Sequence, residues 1–273
     1  MSLAVVRGER VLPVTADEPG PGLASVRSLA AGGPGSLRRL GEWCDRQPAS
    51  ADRPLGSVTL GPAVPEPGAI YTIGGNYDPA DGPSAGRPGR PLVYGKLPTS
   101  VAGDGATLGW DRTLAPNVDP EVELGVVIGA VADAVQAGDA MGHVFGYTCV
   151  NDVSSRDAWL DGDQWLLGKS MAGFCPVGPW IVTADELSPD GLRLGCTLNG
   201  IAIQDGSTAR MRSSVAEVIA FLSSHVVLRP GDLIAMGTPG RLAGPLGPDR
   251  HLEPGDEVIV WIDRIGELTT RIA

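Results

Sequence analysis

Long apolar runs, a positive net charge and paired cysteines are all missing from this sequence of 273 residues. No apolar run approaches the roughly 20 residues of a membrane-spanning helix. The formal net charge of -11 disfavours nucleic acid and anionic membranes as partners. None of the four cysteines forms a C-x-x-C pair, which disfavours a zinc site of the usual spacing. We therefore expect a globular cytoplasmic protein that binds neither nucleic acid nor membrane.

Lysine is nearly absent: the sequence contains only Lys96 and Lys169, whereas arginine is common. A compact ammonium on a flexible stem does not replace a planar guanidinium in a crowded site. Both lysines follow a glycine, in GKLPTS and GKSMAG. Chance retention is the alternative, but we favour a function for both, with Lys96 binding substrate and Lys169 taking part in catalysis.

The sequence also lacks a glycine-rich phosphate loop and a G-x-S-x-G elbow. Strand patterns dominate without a repeated βαβ alternation, which disfavours a doubly wound sheet and predicts a β-rich α+β fold. Asn199-Gly200 predicts the turn of a hairpin in LRLGCTLNGIAIQDG. SSVAEVIAFLSSHV predicts an amphipathic helix capped at Ser213 or Ser214, and DQWLLGKSM predicts short strands or turns.

A proline-rich stretch, PAVPEPGA at 62–69, predicts a linker. It separates a small N-terminal α/β domain, residues 1–65, from a larger domain, residues 66–273. Residues 78–91 contain almost nothing apolar and predict a long loop of the kind that often covers a site.

Two glutamates, Glu121 and Glu123, stand at the entrance of an apolar run in EVELGVVIG. Successive side chains of a strand point to opposite faces, so both glutamates project to the same side. Like charges repel, and burying them unpaired is costly, so they are either solvated or held by a positive group. Asp152 ends another predicted strand, FGYTCVNDV. Three carboxylates without a nearby histidine suit Mg²⁺, Mn²⁺ or Ca²⁺, and a solvated strand edge is the alternative.

Three further polar residues, Arg156, Lys169 and Thr238, would bind an anionic ligand beside such a metal. Arg156 follows Asp152 by four residues, and Thr238 lies in GTPG after an apolar run. Together with Lys169 and a cation they would form a pocket for a small oxygen-rich anion, such as a 2-oxo acid or a β-diketone enolate. Each of these residues alone is more often a surface charge or a turn residue.

Seven segments occur in a characteristic order, which is GGNY (74–77), PLVYGKLPTSVAGDG (91–105), EVELGVVIG (121–129), GYTCVNDVSSRD (146–157), GKSMAGFCPVGPWIV (168–182), LNGIAIQDGST (198–208) and LRPGDLIAMGTPG (228–240). In these segments the chain resembles the fumarylacetoacetate hydrolase family over about residues 70–273. The resemblance implies a mixed β-sandwich roll with a small N-terminal domain, and usually a homodimer. It also implies that Glu121, Glu123 and Asp152 bind Mg²⁺ or a similar cation. Arg156, Lys169 and Thr238 match family positions that contact substrate or stabilise an oxyanion.

The chain departs from the family pattern where many members carry a histidine and a glutamate that activate water. Ala80 and Pro83 stand at those two places and neither can accept a proton. Asp81 could replace the missing pair as a catalytic residue, and Tyr77 could contact substrate and donate a proton. Trp159 and Met236 replace the usual polar residues, which predicts a more apolar substrate pocket.

Three functions remain open. The first is a metal-dependent enzyme that cleaves a C–C bond in a 2-oxo acid, acylpyruvate or β-diketone by hydrolysis or decarboxylation. The second keeps the metal enolate but makes the protein an isomerase, dehydratase or cyclase in specialised metabolism, because Ala80 and Pro83 replace the water-activating pair. The third is a non-catalytic metal-binding subunit.

Overall fold

Short apolar and β-branched runs bounded by Gly, Pro, Asn and Asp form strands, as the sequence predicts. A computed structural model describes residues 2–14, 25–78, 90–157, 164–247 and 249–273. The strands in these ranges are β1 (Ala4–Arg7), β2 (Arg10–Pro13), β3 (Arg53–Pro54), β4 (Ile70–Gly74), β5 (Leu92–Lys96), β6 (Val101–Ala102), β7 (Ala106–Leu108), β8 (Val118–Asp119), β9 (Val122–Ile128), β10 (Val144–Asn151), β11 (Ser154–Ser155), β12 (Cys175–Thr183), β13 (Arg193–Leu198), β14 (Ile201–Ser207), β15 (Leu233–Ala235), β16 (Glu257–Ile262) and β17 (Gly266–Ile272). The helices are α1 (Val26–Ala31), α2 (Gly33–Asp45), α3 (Ala137–Ala140), α4 (Trp165–Lys169) and α5 (Val215–Ser223).

The N-terminal segment forms a small sheet, β1-β2-β3, beside helices α1 and α2. The inward face of α2 buries Leu40 and Trp43. These side chains belong to one apolar cluster with Val127 of β9 and Val150 of β10. The N-terminal segment therefore packs directly on the face of the larger sheet described next.

A seven-stranded sheet, in the order β5-β4-β15-β9-β10-β12-β6, forms the centre of the protein. Every residue of β9 is buried. Because side chains alternate, Val122, Leu124 and Val126 pack into the main core on one face, whereas Glu123 and Val127 project to the other. The alternation predicted from the sequence thus directs Glu123 away from the main apolar core.

A five-stranded sheet, β14-β13-β16-β17-β7, packs through the main core against the central sheet. The hairpin β13–β14 turns at Asn199 and Gly200, whose φ angles of 51° and 78° are left-handed, as the predicted turn requires. Helix α5 begins after Ser214, which forms a capping box with Glu217. Both local predictions are confirmed.

The structure confirms the predicted β-rich α+β fold of mixed sheets. It corrects the prediction for DQWLLGKSM, because residues from Trp165 to Lys169 form a helical turn and not a strand. One helical turn brings Trp165 and Lys169, four residues apart, close together on one face, whereas a strand would separate them by roughly 13 Å. The domain boundary after residue 65 stays a prediction. No helix in the described part of the chain is long and apolar enough to cross a membrane.

Candidate active site

Strand register brings three carboxylates together at one end of β9 and β10. Glu123 pairs with Val150 in the antiparallel ladder, and Asp152 lies two residues beyond Val150. The backbone N–H of Asp152 donates to the carbonyl of Glu121 over 2.9 Å, which extends the same register. Alternation therefore places all three side chains on one face. One carboxylate oxygen from each residue lies within 4.8 Å of the other two, and all three residues are buried.

Two buried lysines contact this carboxylate triad of Glu121, Glu123 and Asp152. Lys169, at the end of α4, donates to Asp152 Oδ2 at 2.5 Å and to Glu121 Oε2 at 3.3 Å. It also donates to Ser154 Oγ at 2.8 Å. Lys96, at the end of β5, donates to Asp152 Oδ1 at 2.5 Å. The two lysines of the sequence thus converge on Asp152 from different elements.

Arg156 holds the outer side of the triad. Its guanidinium donates to Glu121 and, through Nε, to Asp119 Oδ2 at 3.1 Å. Asp119 also accepts from His251 Nδ1 at 2.8 Å, and Arg241 approaches it at 3.7 Å. Arg156 is therefore fixed between two carboxylates, with one edge facing the cleft beside the triad.

Neighbouring cations keep two of the carboxylates ionised. Burial opposes ionisation of Glu121, but Lys169 and Arg156 outweigh it and hold the pKa of Glu121 below its usual range. Burial likewise opposes ionisation of Asp152, yet Lys169 and Lys96 lower its pKa. In return, Asp152 and Glu121 raise the pKa of Lys169 against the effect of burial, so this lysine stays protonated at neutral pH.

Glu123 is the exception within the triad. It accepts one hydrogen bond, from the backbone N–H of Gly237 at 2.8 Å, and no cation contacts it among the described residues. Burial, followed by repulsion from Asp152 and Glu121, raises the pKa of Glu123 well above its usual range. A divalent cation between the three carboxylates would offset this repulsion. Three hard oxygen donors at such separations therefore fit Mg²⁺, Mn²⁺ or Ca²⁺.

Gln204 connects the triad strand to Thr238, and the sequence did not single it out. Its Oε1 accepts from the N–H of Val122 at 2.9 Å, next to Glu123. Its Nε2 donates to Thr238 Oγ1 at 2.8 Å and to the carbonyl of Pro239 at 2.7 Å. Because the amide occupies an acceptor site of the Thr238 hydroxyl, the hydroxyl proton remains available to a ligand in the cleft.

The triad opens into a cleft of about 170 Å³. Its lining combines Lys169, Arg156 and Thr238 with an apolar side that the sequence analysis missed, made of Leu92, Tyr94 and Trp165. A larger cavity of about 910 Å³ lies between α2 and the central sheet and contains no residue of the triad. The smaller cleft is therefore the candidate active site.

Several residues predicted to contact substrate lie elsewhere or outside the described ranges. Met236 is fully buried in the main core, and Tyr77 is also buried there, with its hydroxyl unpartnered among the described residues. Lys96 contacts Asp152 but does not line the cleft. Asp81 and Trp159, together with Ala80 and Pro83, lie outside the described residues.

Comparison with known proteins places the chain among enzymes. The family model described as fumarylacetoacetate (FAA) hydrolase C-terminal matches residues 70–273. An uncharacterized protein of Staphylococcus epidermidis is 39% identical over 213 residues, which are 78% of this chain and 71% of that protein. A solved 2-hydroxyhepta-2,4-diene-1,7-dioate isomerase from Mycobacterium marinum is 33% identical, with a TM-score of 0.71, and the match covers 83% of this chain and 82% of that one.

A second solved structure is similar over the full length. It is the maleylpyruvate hydrolase of Sphingobium sp. SYK-6 in complex with manganese(II) and pyruvate, 27% identical, with a TM-score of 0.81. The match covers 100% of this chain and 96% of that chain. One of the two similar structures is an isomerase and the other a hydrolase, so similarity alone does not select the reaction.

Proposed function

This chain belongs to the fumarylacetoacetate hydrolase family, and from that premise we propose that it is a divalent-metal-dependent enzyme acting on a 2-oxo acid, an acylpyruvate or a β-diketone. One observation carries the proposal. The oxygens of Glu121, Glu123 and Asp152 lie within 4.8 Å of one another, and the ammonium of Lys169 lies 2.5 Å from Asp152. This combination supports a cation site beside a fixed positive charge in one cleft.

Glu121, Glu123 and Asp152 would hold Mg²⁺, Mn²⁺ or Ca²⁺, and the manganese in the similar maleylpyruvate hydrolase supports Mn²⁺. When bound, the cation acts as a Lewis acid that polarises a substrate oxygen. By holding the cation, the carboxylates would also determine where the substrate oxygens lie relative to Lys169 and Arg156.

The remaining polar residues of the cleft bind the substrate and stabilise developing charge. Arg156, fixed by Glu121 and Asp119, presents a guanidinium edge that suits a substrate carboxylate. Lys169 is protonated and preorganised, so it stabilises the negative charge that develops on a substrate oxygen as an enolate forms. The Thr238 hydroxyl, oriented by Gln204, donates to a neighbouring oxygen.

We propose C–C bond cleavage by hydrolysis or decarboxylation as the reaction. Hydrolysis needs a base that activates water, whereas decarboxylation needs only that the electron pair of the broken bond enters a stabilised enolate. The alternative is a metal-enolate isomerase, dehydratase or cyclase. One observation favours it: no histidine lines the cleft within the described residues, and Ala80 and Pro83 replace the usual pair.

A non-catalytic metal-binding subunit is the second alternative. Lys169 and Arg156 disfavour it, because both line the cleft, whereas cations that only neutralise buried carboxylates need not face a cleft. The homodimer, the cytoplasmic location and the absence of nucleic-acid and membrane partners stay predictions from the sequence.

The test is metal-dependent turnover. Protein stripped with EDTA would be given Mn²⁺ or Mg²⁺ with oxaloacetate, and pyruvate would be followed through lactate dehydrogenase. Acylpyruvates would be followed by loss of their enol absorbance. A blank with metal alone corrects for decarboxylation by free Mn²⁺. We expect turnover with metal and none after EDTA.

Two variants make the result specific. Glu123→Gln should abolish metal-dependent turnover, and Leu167→Ala, an exposed change on α4 outside the cleft, should leave it unchanged. No turnover of any of these substrates by metal-loaded protein contradicts C–C bond cleavage. Conversion of a 2-hydroxydienoate to its 2-oxo isomer would then support the isomerase, and metal binding without either activity would support the non-catalytic subunit.

A further inference from the structure

Part of the cleft lining is an apolar wall, which we define as Leu92, Tyr94 and Trp165. In the β4–β5 ladder, Tyr94 lies opposite Thr72 and Leu92 lies opposite Gly74. Because Leu92 and Tyr94 are two residues apart, both side chains project to the same face of the sheet. Strand register therefore builds the first two residues of the wall.

A glycine and a helical turn complete the wall. A Cβ at Gly74 would lie 2.6 Å from Tyr94 Cε2 and 3.2 Å from Leu92 Cδ2, so the absent side chain leaves the room that both wall residues occupy. Trp165 contacts Tyr94 with ring centroids 5.1 Å apart. It stands four residues before Lys169 on α4, so the same helical turn supplies both the wall and the ammonium.

The positive charges that line the cleft are bonded to the triad. Lys169 and Arg156 are the only cations that line it among the described residues, and both are bonded to the triad. The three residues of the wall offer apolar surface, and none of them can form an ion pair with a second carboxylate. An apolar group held against the wall gains burial, which a carboxylate there would not.

The size of the cleft determines how a substrate would lie. About 170 Å³ is well below the roughly 300–1,000 Å³ of common ligand sites. The cleft therefore has room for a two- or three-carbon oxo-acid head but not for the whole of a larger substrate. Leu92 lines the cleft yet is 53% exposed, so the wall extends to the mouth of the cleft. The part of a substrate that does not fit inside the cleft would lie against this outer part of the wall.

We propose that the substrate of this protein carries an uncharged apolar or aromatic tail, which the wall of Leu92, Tyr94 and Trp165 binds while the oxo-acid head lies at the triad. The inference rests on the proposed function for the position of the head. It distinguishes this protein from the similar isomerase, whose named substrate is a dioate with a second carboxylate.

The test compares tails on a common, unreactive head. Calorimetry with Mn²⁺-loaded protein would measure the affinity of oxamate, N-benzyloxamate and N-oxalylglycine, which share the oxamate group. N-benzyloxamate should bind about tenfold more tightly than N-oxalylglycine, since burial of a few methylene equivalents has about this effect. Equal affinity, or preference for N-oxalylglycine, would overturn the inference while leaving the proposed head site intact. Failure of all three to bind would overturn both.

A matched pair of variants locates the effect. Leu92 and Leu167 are both 53% exposed, but only Leu92 lines the cleft. Leu92→Arg should remove the preference for N-benzyloxamate or reverse it toward N-oxalylglycine, and Leu167→Arg should leave it unchanged. The same preference in both variants would overturn the inference. Both positions are exposed, so we expect neither change to alter the thermal midpoint of unfolding. Unchanged midpoints would exclude misfolding as the cause of a lost preference.

Discussion

Replacement of Glu123 by glutamine should stabilise the metal-free protein although it removes a buried ionisable group. At the 4.8 Å limit within the triad, two like charges repel by about 3.5 kcal/mol at an effective dielectric constant of about 20. The raised pKa of Glu123 lets a proton relieve much of this repulsion, which leaves a net gain of about 1 kcal/mol. The glutamine oxygen still accepts from Gly237. The thermal midpoint of unfolding should therefore rise by roughly 2–4 °C.

The matched control is the same chemical change two residues away. Glu121→Gln removes ion pairs to Arg156 and Lys169, so it should destabilise the metal-free protein. Breaking a buried ion pair costs about 3–5 kcal/mol. Arg156 is 34% exposed and keeps Asp119 as a partner, and the change also relieves the repulsion between Glu121 and Glu123, so we expect about half of that cost or less. The two variants should thus shift the thermal midpoint in opposite directions.

The assay is thermal unfolding with and without Mn²⁺. At a hundredfold excess over its dissociation constant, the metal should stabilise the parent protein by about 2.7 kcal/mol. That corresponds to a rise of roughly 5–10 °C in the midpoint. Both variants should lose this rise because each lacks one ligand. A downward shift for metal-free Glu123→Gln, or metal stabilisation retained in either variant, would refute the reasoning.

Three further variants and one pH profile test other features of the structure. Lys169→Met should lower kcat by about 10²–10³ while calorimetry still detects Mn²⁺ binding, and an unchanged kcat would contradict its role. Thr238→Val should weaken oxamate binding by roughly tenfold through loss of one hydrogen bond, and parental affinity would exclude the contact. Gly200→Ala, at φ 78°, should cost about 1–2 kcal/mol in chemical denaturation and leave kcat unchanged, so undiminished stability would contradict the turn assignment. The free energy of unfolding of the metal-free parent protein should fall as pH rises from about 4.3, the usual pKa of glutamate, to the raised pKa of Glu123. In this window Glu123 is ionised in the unfolded state but still protonated in the folded state. The same pH profile in the Glu123→Gln variant would refute this prediction.

Strand periodicity explains how much of the site the sequence predicted. Two-residue spacing put Glu121 and Glu123 on one face, and the apolar run after them indicated a buried strand. Asp152 comes close to the two glutamates because β10, which it follows, pairs antiparallel with β9. Alternation also accounts for Met236, which follows β15 on the same face as Ile234 and therefore enters the main core. Applied to LIAMG, the same rule would have predicted its burial.

Contacts between distant segments could not be predicted in this way. Lys96 and Lys169 were identified by their scarcity, but nothing in their neighbourhoods reveals that both contact Asp152. The wall of Leu92, Tyr94 and Trp165 depends on the β4–β5 register and on a helical turn that the sequence analysis took for a strand or turn. Gln204 reaches Val122 from a different sheet. Each of these contacts is set by tertiary packing.

We propose that Glu121, Glu123 and Asp152 together bind a divalent cation in the cleft. Anomalous diffraction from crystals soaked in Mn²⁺ would locate that cation. We expect one strong peak about 2.0–2.6 Å from an oxygen of each of the three carboxylates. A strong peak elsewhere with none at the triad, or no peak at millimolar Mn²⁺, would show that the triad does not bind the metal.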